Sequence, residues 1–242
     1  MSPPTATTSQ SGTNAAPAGS RVVAPEILDG LPADHADAIA SRRDLRRINA
    51  AMGNLRWMRE QITARSRPGD RIVELGAGDG MLAAMVCARR PELAGNYHAL
   101  DLAPRPAGFP REASWHCMNL WSGEAAELLR SAQTVAVNLM LHHFQDDDLR
   151  RLGLLLEGCR EIIVCEPCRR ERFVYLARLT FPFINRVTRH DMVVSIRAGF
   201  RRGELTGLLG GAEGERKSRE QETWLGALRG VYTRAESLHS KC

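Results

Sequence analysis

The segment R-I-V-E-L-G-A-G-D-G, Arg71 to Gly80, places the rest of the chain. Ile72 and Val73 are β-branched, Leu75 is apolar, and the run ends in glycines, which reads as a short buried strand. Met81–Arg90 follows as a helix-compatible run, with apolar Met81, Leu82, Met85 and Val86. Strand, glycine turn and helix form the unit in which a backbone comes very close to a nucleotide-like ligand. A turn that merely joined a strand to a helix would need one glycine at most, and three cost backbone entropy on folding.

The spacing narrows the ligand. A dinucleotide fingerprint, G-x-G-x-x-G, would put its third glycine at position 81, which is Met81. Here the glycines are Gly76, Gly78 and Gly80, preceded by Glu74 at the strand end. A carboxylate there repels a pyrophosphate and suits a cation, such as a ligand carrying an ammonium and a sulfonium group. E-x-G-x-G-x-G between a strand and a helix resembles motif I of the class I S-adenosylmethionine-dependent methyltransferases.

Composition sets the frame. The 242 residues give room for one α/β domain plus an arm, and at 43% hydrophobic the chain can bury a sizeable core. No apolar run is long enough to cross a bilayer, and residues 1–20 lack the charge and apolar block of a secretory signal, so the expectation is a soluble cytoplasmic protein without membrane insertion. The net charge of +5 permits nucleic-acid binding without demanding it, but aromatics are only 5%, too few for an obvious base-stacking platform. Cys165-Glu-Pro-Cys168 has C-x-x-C spacing with no second pair, so no metal site is expected. Cys87, Cys117 and Cys165 read as small apolar residues in core elements.

Residues 1–24, rich in Ser, Thr, Ala, Pro and Gly, read as a disordered tail. Residues 25–66 read as an N-terminal helical arm. In it Leu45, Ile48, Met52, Leu55, Met58 and Ile62 recur at helical spacing, Arg42, Arg43, Arg46 and Arg47 face away, and Gly53-Asn54 divides two helices. From 67 to 242 the pattern is one domain. Its strands run near Asn96–Asp101, Ala113–Met118, Thr134–Met140 and Glu161–Cys165, with an arginine-rich helix at Arg169–Phe183, a further strand at Met192–Ile196 and a short helix at Gly203–Leu209. Asp146, Asp147 and Asp148 fall in the first turn of a helix, where acids meet the helix dipole favourably. Residues 211–242 match poorly: Glu213–Cys242 shows no clear alternation, and Val231-Tyr232 alone suggests a last strand. The whole predicts a Rossmann-like, doubly wound, mostly parallel α/β sheet with helices on both faces.

In such a sheet, ligands sit at the carboxyl ends of the strands where strand order reverses. Glu74, Asp101, Asn119, Asn138 and Glu166 all lie at expected strand ends and should ring one crevice. Asp101 follows the glycine loop by about 20 residues, where such folds hold a ribose diol. Asn119 and Leu120 could bond and sandwich an adenine, or Asn119 could simply form a turn. His142 and His143 follow the fourth strand directly and suit the proton removal that an oxygen acceptor needs. His190 next to Asp191 is a further candidate, and Arg189 could hold an anionic group.

The stretch N-L-M-L-H-H-F (Asn138–Phe144) is similar to the N-L-x-L-H-H-F segment of a bacterial branch of small-molecule methyltransferases. The likeness extends over about Ala36–Phe200, including S-R-R-D-L-R-R-I-N-A-A-M-G-N and V-T-R-H-D-M-V-V-S-I-R-A-G-F. It implies an S-adenosylmethionine site built also from Ala77, Leu102 and Leu139. It implies one of the two adjacent histidines as base, and a phenolic or quinol-type small-molecule acceptor, since members are often encoded near polyketide or lipid-quinone pathways. Glu166, Arg189 and Asn54 are then candidates to touch that acceptor, with Arg47 more suited to solvent. No N/D-P-P-Y/F string follows the fourth strand, which disfavours methylation of exocyclic base nitrogens. A nucleic-acid methyltransferase and a non-catalytic cofactor-binding protein are the alternatives, and a homodimer stays open.

Overall fold

The computed structural model describes residues 20–210 and 216–235. Strand β1 (Ile72–Leu75) is an inner strand, third in a seven-stranded sheet of order β3-β2-β1-β4-β5-β7-β6. Its neighbours β2 (Tyr97–Asp101) and β4 (Thr134–Asn138) both run parallel to it. β3 (Ser114–Cys117) and β5 (Glu161–Pro167) extend the parallel set. Strand order reverses between β1 and β4, so the crevice of a doubly wound sheet opens above Leu75 and Asn138.

Alternation along the strands feeds two cores. Val73, Leu75, Val135, Val137, Ile162 and Val164 face one layer, with α4 (Gly123–Arg130), α5 (Asp146–Leu155), α6 (Glu171–Arg178), α7 (Arg186–Ala198) and α8 (Glu204–Leu209). Ile72, Ala99, Ala136 and Ile163 face the other, where α2 (Asn54–Arg65) contributes Met58 and Ile62 and α3 (Met81–Arg89) contributes Leu82 and Val86. The arm divides as its glycine suggested: α1 (Ala36–Met52) ends at Gly53, whose φ of 65° is left-handed, and α2 begins at Asn54.

Three expectations are corrected here. Met192–Ile196 is not a strand but part of α7, despite its β-branched residues. Asn185 caps that helix by accepting the Thr188 N–H, and Val187, Thr188, Asp191, Ile196 and Ala198 are buried at helical rather than alternate spacing. The arginine-rich helix is shorter than Arg169–Phe183, ending at Arg178 with a 3₁₀ turn at Phe181–Phe183. Beyond position 215 the chain does close the sheet: β7 (Ala227–Arg234) pairs antiparallel with β5, and β6 (Arg216–Glu222) pairs antiparallel with β7. β6, R-K-S-R-E-Q-E, is a polar edge strand with no apolar face, and β7 is buried on both faces, so neither alternates.

Residues 1–19 of the expected tail lie outside the described residues. Arg21, at its end, donates from Nε to the Ala198 carbonyl (2.9 Å) and from Nη2 to the Phe144 carbonyl (2.9 Å). Of the cysteines read as core, Cys87 and Cys165 are buried and Cys117, at the end of the edge strand β3, is exposed. Burial pushes the Cys165 and Cys168 thiols up to about 12 and about 11. The three aspartates sit in the first turn of α5 as expected.

Gly80 shows how tightly the glycine loop is specified. Its φ is +71°, and a Cβ there would stand 2.7 Å from Cδ2 of Phe109, a buried ring packed edge-on against Trp115. Gly80→Ala is expected to cost about 1–3 kcal/mol, read as a lower urea midpoint at unchanged slope.

Candidate functional site

A cavity of about 910 Å³ opens at the carboxyl ends of β1, β2 and β4. Glu74, Gly76, Ala77, Gly78, Asp101 and Asn138 form its floor, and Leu102 lies at its edge. The volume is at the upper end of small-molecule sites, enough for two ligands side by side. Gly76, Gly78 and Gly80 all have positive φ, and each meets a different constraint. At Gly76 a Cβ would be 2.8 Å from Met140 Sδ, whereas at Gly78 it would meet nothing within 4 Å and would fill the open cavity. The Gly78 N–H donates to Asp101 Oδ2 (2.7 Å), tying the loop to the end of β2, while Asp101 Oδ1 accepts from Ala103 N–H (2.8 Å).

Glu74 is buried, and its Oε2 accepts from the Tyr97 hydroxyl at 2.7 Å. Burial pushes its carboxyl up to about 8, with Asp101 and Asp79 adding to the rise against the Tyr97 hydrogen bond. The residue expected as a standing carboxylate therefore keeps its proton at neutral pH until a cation meets it. Opposite, the Asn138 side-chain oxygen is buried with no hydrogen-bond partner among the described residues. A buried acceptor left unpaired costs about 1–3 kcal/mol, which a donating ligand would recover.

The turn after β4 is held by charge. Leu139 has φ 55°, the only left-handed non-glycine among the described residues. Past it, Glu166 Oε1 accepts the N–H groups of Met140 and Leu141 (both 2.8 Å), and Oε2 accepts that of His142 (3.3 Å) and its Nδ1–H (2.7 Å). On the other side of the ring, His142 Nε2 lies 3.4 Å from Glu26 Oε1. Burial opposes charging this imidazole, but the Glu166 and Glu26 hydrogen bonds outweigh it and lift His142 to about 9. Glu26 in turn lies below the usual carboxylate range: burial raises it, but His142 and the Ser195 hydroxyl more than offset this. His142 is thus an imidazolium clamped by two carboxylates.

His143 is placed differently. The two rings lie 4.3 Å apart between centroids and are tilted by 34°, yet His143 is partly exposed and its Nδ1 lies 3.6 Å from Asp29 Oδ2. Asp29 also lines the cavity. Burial raises the Asp29 carboxyl, with Glu26 and Asp191 adding to it and His143 opposing. Glu26 and Asp29 belong to a strap, residues 20–31, that crosses the carboxyl-end face. Asp191 on α7 fixes the strap by accepting the N–H groups of Ile27 (2.8 Å) and Leu28 (2.9 Å).

Neither histidine is among the residues that line the cavity, Asp29 being the member of this group that reaches it, and the remaining candidates lie elsewhere. Glu166 is fully buried and committed to the β4 turn and His142, so it does not face the cavity. Asn119 Oδ1 accepts the Trp121 N–H (2.8 Å), the turn-forming alternative, and Leu120 is in the core. His190 bonds its neighbour Asp191 (2.8 Å) and Arg189 the Ile184 carbonyl (3.0 Å), both outside the cavity lining. Asn54 is buried and receives Arg229 from β7 (3.2 Å), joining the arm to the closing strand. Arg42 and Arg46, expected to face away, line the cavity together with Arg56. Helix α1 carries two unlike polar surfaces, and periodicity alone does not separate solvent from a wet cavity.

Glu26, Asp29 and Arg56 were not singled out from sequence, and Arg42 and Arg46 were read as facing solvent. The strap P-E-I-L-D-G has no periodicity to mark it, and its acids gain a role only through contact with a segment more than 110 residues away.

No family model matches the sequence, and no curated protein sequence does. Solved structures match on fold. The plantazolicin methyltransferase BamL, in complex with a triazolic desmethylPZN analog and S-adenosylhomocysteine (SAH), aligns with TM-score 0.63 at 10% identity, over 86% of this chain and 92% of that one. Magnesium protoporphyrin IX methyltransferase from Synechocystis PCC 6803 with bound SAH gives 0.52 at 14%, over 84% and 97%. Human N-acetylserotonin methyltransferase in complex with SAM gives 0.51 at 17%, over 86% and 61%. The architecture is therefore the Rossmann-like α/β fold of class I methyltransferases.

Proposed function

We propose that this chain is an S-adenosylmethionine-dependent methyltransferase acting on the oxygen of a small phenolic or quinol-type molecule, with His143 as general base. The observation that carries it is Glu74, a buried carboxyl at the foot of three left-handed glycines, facing a cavity and with no basic partner among the described residues. The fold shared with enzymes solved with SAH or SAM supports the same reading.

The residues present fit that cofactor. Glu74 and the glycine loop suit its cationic amino-acid end, Asp101 a ribose diol, and Asn138 Oδ1 a donor now missing. When bound, S-adenosylmethionine supplies a methyl group on a sulfonium, transferable in line to a nucleophile without a metal. Asn119, Leu120, Leu102 and Leu139 complete the proposed surround.

On the acceptor side, the Glu26–His142–Glu166 clamp fixes the turn that carries His143. Its Nδ1 faces Asp29, which leaves Nε2 to take the acceptor's hydroxyl proton, and Asp29 stabilises the imidazolium that results. Arg46 and Arg56 have no acidic partner among the described residues, and such a wall favours an acceptor that becomes anionic on losing its proton. The strap and α1 act as the lid, and holding the acceptor against the methyl supplies much of the rate.

The test is a panel of phenols and quinols incubated with methyl-labelled cofactor and read by mass spectrometry. One labelled methyl on an oxygen supports the reading. SAH binding in calorimetry with no transfer to any acceptor would leave a binding protein instead.

A further inference from the structure

Three side chains able to ligate a metal converge where the strap meets the turn after β4. One ligand atom each from Glu26, His142 and His143 lie within 4.8 Å of one another. Bonds of about 2.0–2.1 Å to a tetrahedral zinc ion set its ligand atoms about 3.3–3.4 Å apart. His142 Nε2 and Glu26 Oε1 already stand at that edge, 3.4 Å apart, on side chains 5% and 11% exposed. His143, whose side chain is 32% exposed, has room to turn its ring the remaining distance. The fourth position falls to Asp29, whose Oδ2 lies 3.6 Å from His143 Nδ1, or to water.

The surroundings are those of a metal site. A ligating histidine almost always passes its other ring N–H to a carboxylate, carbonyl or water, which fixes the tautomer and aims the free nitrogen. His142 Nδ1 donates to the fully buried Glu166 at 2.7 Å, which leaves Nε2 as the ligand atom. Glu26 is aimed by the Ser195 hydroxyl, which donates to its Oε1. An ion pair alone would need only Glu26 and His142; a third ligand converging on the same point is what a metal requires. Two imidazoles and one carboxylate are a donor set for zinc and its transition-metal neighbours, and supply too few oxygens for magnesium or calcium.

We propose that Glu26, His142 and His143 form a binding site for a divalent transition metal of the zinc class. The ion takes the place of the proton between His142 Nε2 and Glu26, which leaves to solvent, and it bonds the strap to the β4 turn. None of the three ligands lines the cavity, so cofactor binding is left as it is. One consequence rests on the methyl-transfer reading: with its ring on the metal, His143 no longer takes the acceptor's proton, and occupancy holds the enzyme inactive.

The test is calorimetric titration of the chelator-treated full chain with zinc chloride, and titration with cobalt chloride followed by visible absorption. The expected result is one ion per chain, a raised melting temperature and the d–d bands of four-coordinate cobalt. His143→Ala, which keeps the fold, should weaken zinc binding by about a hundredfold or more. His190→Asn, on a half-exposed histidine outside the cluster, should leave it unchanged. No saturable binding by the wild type, equal binding by wild type and His143→Ala, or binding lost with His190→Asn instead overturns the proposal. SAH affinity, measured on the same samples, should not respond to zinc. Its absence would count against the methyl-transfer reading and leave the metal site standing.

Discussion

Glu74→Gln is expected to weaken SAH binding by a hundredfold or more while making the ligand-free protein more stable above pH 8. The two effects have one cause. A buried carboxyl lifted to about 8 is unfavourable to ionise alone, and becomes favourable to ionise only against a cation. Since the folded value lies above the unfolded one near 4.5, Glu74 contributes stability below pH 4.5 that is lost as pH rises through about 8. Glutamine has no proton to lose, so the variant should keep its stability there. Wild-type SAH affinity should climb about tenfold per pH unit up to about 8, because a proton leaves as the ligand enters, and this slope should vanish in the variant. Calorimetry in two buffers of different ionisation enthalpy would count the proton directly.

The second large effect separates two neighbouring histidines. His142→Ala should cost about 3–5 kcal/mol, because Glu26 and Glu166 are left buried without the imidazolium between them. His143→Ala should leave stability nearly unchanged and lower turnover by about 10²–10⁴-fold with SAH affinity intact. The alternative assignment, in which His142 is the base, predicts the loss of turnover in a folded His142 variant. The clamp also sets a pH limit on stability. His142 is raised from 6.5 to about 9, so its contribution is full below pH 6.5 and lost as pH rises through about 9. Thermal melting across pH 6 to 10 should therefore fall on the alkaline side, and less so in Glu74→Gln.

Much of this was legible in the sequence because local chemistry dictated it. The glycine loop needs left-handed backbone, and Gly76, Gly78 and Gly80 are the residues that supply it without strain. The inner parallel strands β1, β4 and β5 announced themselves as apolar runs because both their faces are covered. What stayed hidden depended on distant partners. Met192–Ile196 looks extended until Asn185 and the contacts of α7 with α1, such as Thr188 to Ser41 at 2.9 Å, commit it to a helix. β6 offers no apolar face because it is an edge, and β7 no alternation because it is buried. Glu166 ended a strand as expected, but its oxygens went to four donors of the β4 turn. Of the adjacent histidines, sequence proposed one as base; burial separates them, and Glu26 and Asp29 explain why.

A crystal structure of the protein with SAH would measure the central claim. The account predicts the ligand amino group within about 3.2 Å of a Glu74 carboxylate oxygen, with the ribose hydroxyls on Asp101. An amino-acid end lying away from Glu74 and the Gly76–Gly80 loop would contradict it.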